Sequence, residues 1–133
     1  MGTARSASAG GEPSGHGPAG DAIDRGYLAR FTLGNAALEQ EVLELFACHA
    51  PQYLEHLRAA TSSQSWKEAA HTIKGSAAAV GARRLASLAE MAENLDIEGA
   101  QVRAEGDRER AVEAVAAAVD EACRYVARLF ARS

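Results

Sequence analysis

The spacing of apolar residues from position 21 onward is helical along almost the whole chain. Asp24 and Asn35 are favourable N-cap residues, and they predict a short helix that ends near Gly34 and a longer helix after it. Pro51 lies inside the longer segment and predicts a kink there unless the helix breaks in two. The core-facing stripe predicted for this segment consists of Leu38, Val42, Leu45, Phe46, Tyr53, Leu54 and Leu57.

Three more helices are predicted in the second half of the chain. Ser65 and Glu68 have the spacing of a capping box, so a helix is expected to run from Trp66 to about Val80 and to stop at Gly81. The next two helices carry the apolar stripes Leu85, Leu88, Ala92 and Leu95, then Val112, Val115, Val119, Ala122, Val126 and Leu129. This pattern predicts an all-α fold, an antiparallel four-helix bundle with a short additional N-terminal helix.

Composition divides the chain into two parts. Residues 1–20 are mostly Gly, Ser, Ala and Pro and are predicted to be a disordered tail or linker, whereas 21–133 form the bundle domain. A net charge of −4 without a basic cluster argues against nucleic-acid binding. No apolar run has the length of a membrane span and no secretory signal precedes the domain, so we expect a cytoplasmic protein. A monomer is the default expectation for a small bundle.

Neither the cysteines nor two of the histidines predict a metal site. Cys48 and Cys123 are far apart and lack CxxC spacing, so buried free thiols are favoured, with a disulfide left open. His49 and His56 are two helical turns apart, about 10 Å, which is too far to share one ion.

His71 is predicted to point to solvent. The helix that carries it has a buried stripe formed by Trp66, Ala69, Ala70, Ile73, Ala77 and Val80. At about 100° per residue, His71 lies roughly 160° from Ile73, on an outer face shared with Lys67, Lys74, Gly75 and Ala78. A glycine in mid-helix costs about 1 kcal/mol relative to alanine. The flat surface beside the imidazole therefore indicates that something large approaches it.

The segment HTIKGSAAAVGARRLASLAEMAENL resembles the histidine-containing phosphotransfer (HPt) domain of bacterial multistep phosphorelays. The matching features are His71, Lys74, Gly75, Ser76, the small residues before Gly81 and the spacing of Leu85 and Leu88. The earlier segment GNAALEQEVLELFACHAPQYLEHL is similar to the second helix of that family, and the resemblance covers roughly residues 21–131.

The resemblance implies a role for each matched residue. His71 would be the phospho-acceptor, with a neutral ring nitrogen that attacks an aspartyl phosphate on a receiver domain. Lys74 would neutralise part of the phosphoryl charge. Gly75, together with Lys67 and Ala78, would form the surface on which the receiver docks. Ser76 is open to two interpretations, a residue that fixes local geometry or an ordinary helix-surface serine.

Three further positions are weaker candidates. An ungapped comparison places Glu93 where some family members have a glutamine near the histidine. A carboxylate there would repel bound phosphate, although it could orient the imidazole through a hydrogen bond. Leu28 and Phe31 could add to an apolar docking surface for receivers, but core packing is the favoured use.

The resemblance predicts a phosphotransfer protein that accepts a phosphoryl group on His71 from a receiver aspartate and relays it to another receiver. Its partners would be response-regulator receivers and hybrid histidine kinases. No nucleotide-binding motif is evident, so we expect no ATP-dependent kinase activity and no cofactor of its own, with Mg²⁺ on the receiver. The main alternative is an HPt-like docking module that carries no phosphate, and a weaker one is a helical adaptor unrelated to phosphorelays.

Overall fold

The computed structural model describes residues 22–95 and 105–131, and these residues form helices and contain no strand. The predicted tail over 1–20 lies outside the described residues, so it and the domain boundary stay predictions. The helices are α1 Arg25–Thr32, α2 Ala36–Ala59, α3 Ser63–Val80, α4 Arg83–Glu93 and α5 Glu105–Leu129.

The helices α2, α3, α4 and α5 form a closed ring of neighbours in that order, and α1 packs against α2 and α3. The start of α3 meets the end of α4, where the Trp66 Nε1–H donates to the Ala92 carbonyl at 2.6 Å. The start of α5 meets the end of α2, where Arg108 Nη2 donates to the Arg58 carbonyl at 2.8 Å. These contacts run antiparallel, so the predicted bundle with its additional N-terminal helix is confirmed.

The starts of α1 and α2 agree with the sequence prediction, and the start of α3 does not. Asp24 caps α1 by accepting from the Tyr27 N–H, and Asn35 caps α2, both as predicted. The predicted capping box of α3 was wrong, because Ser62 is its N-cap and Ser65 the third helical residue. The Ser62 hydroxyl accepts from the Ser65 N–H, and the Ser65 hydroxyl accepts from the Ser62 N–H in return.

The core confirms the predicted register of α3 and corrects that of α2. All six residues of the α3 stripe are buried. In α2, however, Leu38 and Leu45 are 40 % and 52 % exposed, whereas Leu43 is fully buried. Apolar residues at 42, 43, 45 and 46 fit two helical registers. Ala50, which is buried in line with Leu43, belongs to the stripe that packs inward.

Pro51 lies within a continuous α2 rather than at a break. A proline has no N–H to donate to the carbonyl four residues earlier, which is that of Ala47. The Cys123 thiol of α5 lies 3.7 Å from this carbonyl and donates to it. The neighbouring helix therefore compensates in part for the hydrogen bond that the proline removes, and it does so from a half-buried cysteine.

The two thiols are free, as favoured, but the expectation that both are buried was wrong because Cys48 is exposed. Burial raises the pKa of the Cys123 thiol above its ordinary value, and the nearby Asp120 carboxylate raises it further. A raised thiol pKa leaves less thiolate at a given pH. We therefore expect iodoacetamide at pH 8 to modify Cys48 several times faster than Cys123, as measured by peptide mass spectrometry over time.

The unfolded chain supplies the control for this comparison. In urea the two cysteines should react at similar rates, because both the burial and the Asp120 contact of Cys123 are lost. Equal rates in the folded protein would contradict the environment described for Cys123.

Candidate functional site

His71 lies near the middle of α3 with its side chain 67 % exposed, which confirms the orientation predicted from helical spacing. The residues that fix this orientation are on the opposite side of the helix. Ala70 and Ile73 are buried against the neighbouring helices and leave the imidazole no route inward. The packing of α3 therefore keeps His71, the candidate nucleophile, exposed to solvent.

The surface next to His71 is flat. Gly75 follows one helical turn later and is exposed, and a Cβ atom built there would meet no heavy atom within 4 Å. Ala78 is also exposed and continues this surface toward the end of α3. Nothing in the described residues requires a glycine at position 75, since its φ angle is helical and its surroundings are open. Because Gly75 has no side chain, the solvent-facing surface beside His71 is unobstructed.

The carboxylate of Glu93, at the end of α4, links two groups of α3. Its Oε2 lies 3.3 Å from His71 Nδ1, and its Oε1 lies 3.5 Å from Lys74 Nζ. The Glu93 side chain is only 25 % exposed, and Oε1 is buried without a hydrogen bond of good geometry. The lysine therefore acts on Oε1 as a nearby positive charge rather than as an aligned donor.

A tight turn between α3 and α4 brings these residues together. Gly81 ends α3 with φ at 78°, and a Cβ there would lie 2.8 Å from the Asp24 carbonyl oxygen. The Asp24 N–H donates back to the Gly81 carbonyl, and Arg83 pairs with the Asp24 carboxylate at 2.9 Å. The start of α1 thus holds the turn that sets α4 against α3.

The far ends of the same two helices are held by the Trp66–Ala92 hydrogen bond. Ala92 directly precedes Glu93, so this bond fixes the backbone beside the carboxylate. His71 and Glu93 lie at nearly equal distances in sequence from the Gly81–Ala82 turn. Because α3 and α4 are antiparallel, these equal distances from the turn indicate that His71 and Glu93 lie side by side. The contact between Lys74 and Glu93 was not predicted.

Two of the remaining candidate residues lie on α3 and two lie on α1. Lys67 is exposed on the face of His71, and Ser76 is half-buried. Leu28 is 1 % exposed and belongs to the core, so it cannot form part of a docking surface. The favoured core packing was wrong for Phe31, which is 62 % exposed and lies with its ring edge toward Tyr27.

Metal ligands and membrane spans were also sought within the described parts of the chain. Across 22–95 and 105–131, no three His, Cys, Asp or Glu side chains are grouped so that they could hold a metal ion. Among the described helices, none combines the length and apolar character needed to cross a membrane.

A family model described as the Hpt domain matches residues 41–125, which include all of α3 and α4. Comparison with curated proteins and with solved structures gave no match. The matched stretch is more than half of the 133 residues and contains His71, Lys74 and Glu93. The chain therefore belongs to the Hpt domain family, whose helical bundles have a phosphotransfer-related role with the receiver domains and kinases of phosphorelays.

Proposed function

We propose that His71 accepts a phosphoryl group from the aspartyl phosphate of one receiver domain and passes it to the aspartate of another. The observation that carries the proposal is the imidazole of His71, which is 67 % exposed and whose Nδ1 lies 3.3 Å from Glu93. A histidine with only a structural role would not need an exposed imidazole. The cleared surface at Gly75 provides the room that a receiver's active-site loops require.

The Glu93 contact selects the reactive nitrogen. A carboxylate oxygen 3.3 Å from Nδ1 favours the tautomer in which Nδ1 carries the proton, because the negative charge attracts an N–H and would repel a nitrogen lone pair. Nε2 then holds the free lone pair, on a side chain that is 67 % exposed. It attacks the phosphorus atom, the N–P bond forms, and the P–O bond to the aspartyl carboxylate breaks. The carboxylate leaves with its electron pair, and transfer to the second receiver reverses these steps.

Lys74 supplies the positive charge of the site. It lies one helical turn after His71 with its side chain 35 % exposed, so its ammonium group can reach a phosphoryl group on the ring. Lys67 and Ala78 extend the docking surface on either side of His71 along α3.

The partners in this proposal are response-regulator receivers and hybrid kinases, and the protein acts as a cytoplasmic monomer. The Mg²⁺ that supports transfer belongs to the receiver. Phe31 offers an exposed aromatic ring to a docked receiver from α1. Docking without phosphate is the competing function, and it requires neither the imidazole nor the lysine beside it.

The experiment uses a panel of receiver domains phosphorylated with acetyl phosphate. We expect the wild-type protein to gain phosphate that is labile in acid and stable in base, as N-linked phosphate is, and we expect His71→Gln to gain none. If the wild type binds phosphorylated receivers without ever taking phosphate, the docking function replaces the proposal. If it neither binds receivers nor takes phosphate, the adaptor interpretation gains and the proposal fails.

A further inference from the structure

We propose that Glu93 is a positioning residue that keeps the proton on Nδ1 of His71 while Nε2 carries the phosphoryl group, so that the ring leaves as neutral imidazole when the phosphoryl group moves on. This inference rests on the proposed phosphotransfer function and deepens it. It concerns the second half of the relay, in which the histidine gives up its phosphate.

The proton on Nδ1 decides how easily the N–P bond breaks. Attack through Nε2 by a ring that keeps its Nδ1 proton turns the ring into a cation. When the aspartate of the next receiver attacks phosphorus, the electron pair of the N–P bond returns to Nε2 and this ring departs as neutral imidazole. A ring that had lost its Nδ1 proton to water would have to depart as an imidazolate anion, which is a far stronger base and a poorer leaving group.

The exposure of His71 makes the loss of that proton a real alternative. The side chain is 67 % exposed, so water can take a proton from the cationic ring. Histidine is also the side chain whose charge ordinarily changes between pH 5 and 8. Lys74, one helical turn away, adds a positive charge that favours the loss. A group that retains the proton must therefore be negative, close to Nδ1 and fixed in place.

Glu93 meets these three requirements. Its Oε2 lies 3.3 Å from Nδ1, and its side chain is only 25 % exposed, so water and salt screen its charge less than that of a surface carboxylate. The Trp66–Ala92 hydrogen bond fixes the backbone next to it. An opposite charge within about 4–6 Å favours the charged form of a titratable group. The carboxylate thus stabilises the protonated, cationic ring.

Phosphorylation also allows Lys74 to change partners. In the free protein Oε1 of Glu93 is buried without a hydrogen bond, and the Lys74 ammonium lies 3.5 Å from it. The cationic ring gives the carboxylate a second positive neighbour. The ammonium can then contact the phosphoryl oxygens without leaving the carboxylate uncompensated, and the charges of carboxylate, ring, phosphoryl group and ammonium alternate in sign.

Other ionisable groups lie around α3 without contacting the imidazole. Those on α3 and on the three helices packed against it include Lys67, Glu68, Glu90, His56, which lines a groove with Glu68, and Asp24, which is paired with Arg83. Among the described residues, Glu93 is the one with a carboxylate oxygen within 4 Å of the ring. The other groups are shared by the wild type and Glu93→Gln, so their titration affects both proteins alike.

The first test follows the proton itself and needs no receiver. Phosphoramidate phosphorylates histidine chemically, and nitrogen-15 chemical shifts report which ring nitrogen carries a proton as the pH is raised. We expect Nδ1 of phosphorylated His71 to lose its proton about one pH unit lower in Glu93→Gln than in the wild type, because glutamine keeps the shape of the side chain without its charge. The His71 signals are assigned by their absence in His71→Gln.

Two further variants fix the sign of the effect. Glu90→Gln removes the charge of an exposed glutamate from the same helix and should leave the titration close to that of the wild type. Lys74→Gln removes a positive charge near the ring, so it should move the loss of the Nδ1 proton to higher pH. A pair that served only to hold α4 against α3 would not shift the titration in opposite directions.

The second test measures single-turnover transfer from phosphorylated His71 to an unphosphorylated receiver over the same pH range. The rate of Glu93→Gln relative to the wild type should decrease as the pH rises, by up to about tenfold for a shift of one unit. At acidic pH, where both rings keep the proton, the two rates should converge. A packing defect would slow transfer equally at every pH.

The outcomes separate this inference from the proposed function. If Glu93→Gln loses the Nδ1 proton at the same pH as the wild type, or at a higher pH, the inference is overturned even where receivers exchange phosphate normally. An equal shift in Glu90→Gln would assign the effect to overall charge and would also overturn it. If the titration shifts as expected but no receiver exchanges phosphate with the wild type, the proposed function fails and the role of Glu93 in transfer fails with it.

Discussion

Replacing Gly75 with leucine is expected to slow phosphoryl transfer by about 100-fold while making the domain slightly more stable. Position 75 lies one turn after His71 on the same exposed face, so a leucine side chain would stand beside the imidazole. A displacement of about 1 Å between reacting groups is enough to cost roughly 100-fold in rate. A docked receiver would have to shift at least that far.

The gain in stability has a separate cause. Glycine in a helix interior is about 0.8–1 kcal/mol less favourable than alanine, and leucine is nearly as good as alanine. A Cβ at position 75 meets no heavy atom within 4 Å, so no clash offsets this gain. Activity and stability should therefore change in opposite directions, which a mutation that merely damages the fold cannot produce.

The measurements are single-turnover transfer from a phosphorylated receiver and urea denaturation of each variant. Gly75→Ala should gain about the same stability and retain most of the transfer rate, because a methyl group barely rises above the helix backbone. Ala117→Leu, at an exposed position of α5, introduces the same leucine side chain away from the site and should transfer normally. Unimpaired transfer by Gly75→Leu would show that the receiver does not approach this surface.

The two faces of α3 could be predicted from the sequence, because its apolar residues follow one helical stripe and polar or small residues occupy the rest. The register of α2 could not, since Leu43 and Leu45 both fit a three-four spacing and only packing against the other helices buries Leu43. Periodicity locates a face when one stripe is clearly more apolar than its alternatives. It fails where two apolar stripes overlap.

The candidate site was predictable in part for a related reason. The orientation of His71 depends on its own helix, so local periodicity was sufficient. The position of Glu93 depends on how two helices meet, which the Gly81 turn and the Trp66–Ala92 hydrogen bond determine together. The contact with Lys74 follows from that meeting and from side-chain rotamers, neither of which a helical repeat encodes.

Trp66 is expected to be the most sensitive position for stability. Its side chain is fully buried, its Nε1–H donates to the Ala92 carbonyl, and the Arg108 guanidinium lies 5.3 Å from its ring centroid. It thus joins α3 to both α4 and α5. Truncating a buried tryptophan to alanine costs about 3–5 kcal/mol, a large part of the 5–15 kcal/mol typical of whole domains.

Trp66→Phe keeps an aromatic ring in this position and tests the contact where Trp66→Ala fails to fold. The Ala92 carbonyl also accepts from the Leu95 N–H at 3.1 Å, so losing the indole donor does not leave it without a partner. We therefore expect the phenylalanine variant to lose about 1–2 kcal/mol in urea denaturation. Leu45→Ala truncates a half-exposed side chain and should cost less than about 1 kcal/mol.

Because Ala92 adjoins Glu93, Trp66→Phe should also weaken the preference of His71 for the tautomer with the proton on Nδ1. A variant that loses stability but keeps that preference would mean that the turn at Gly81 alone positions the carboxylate.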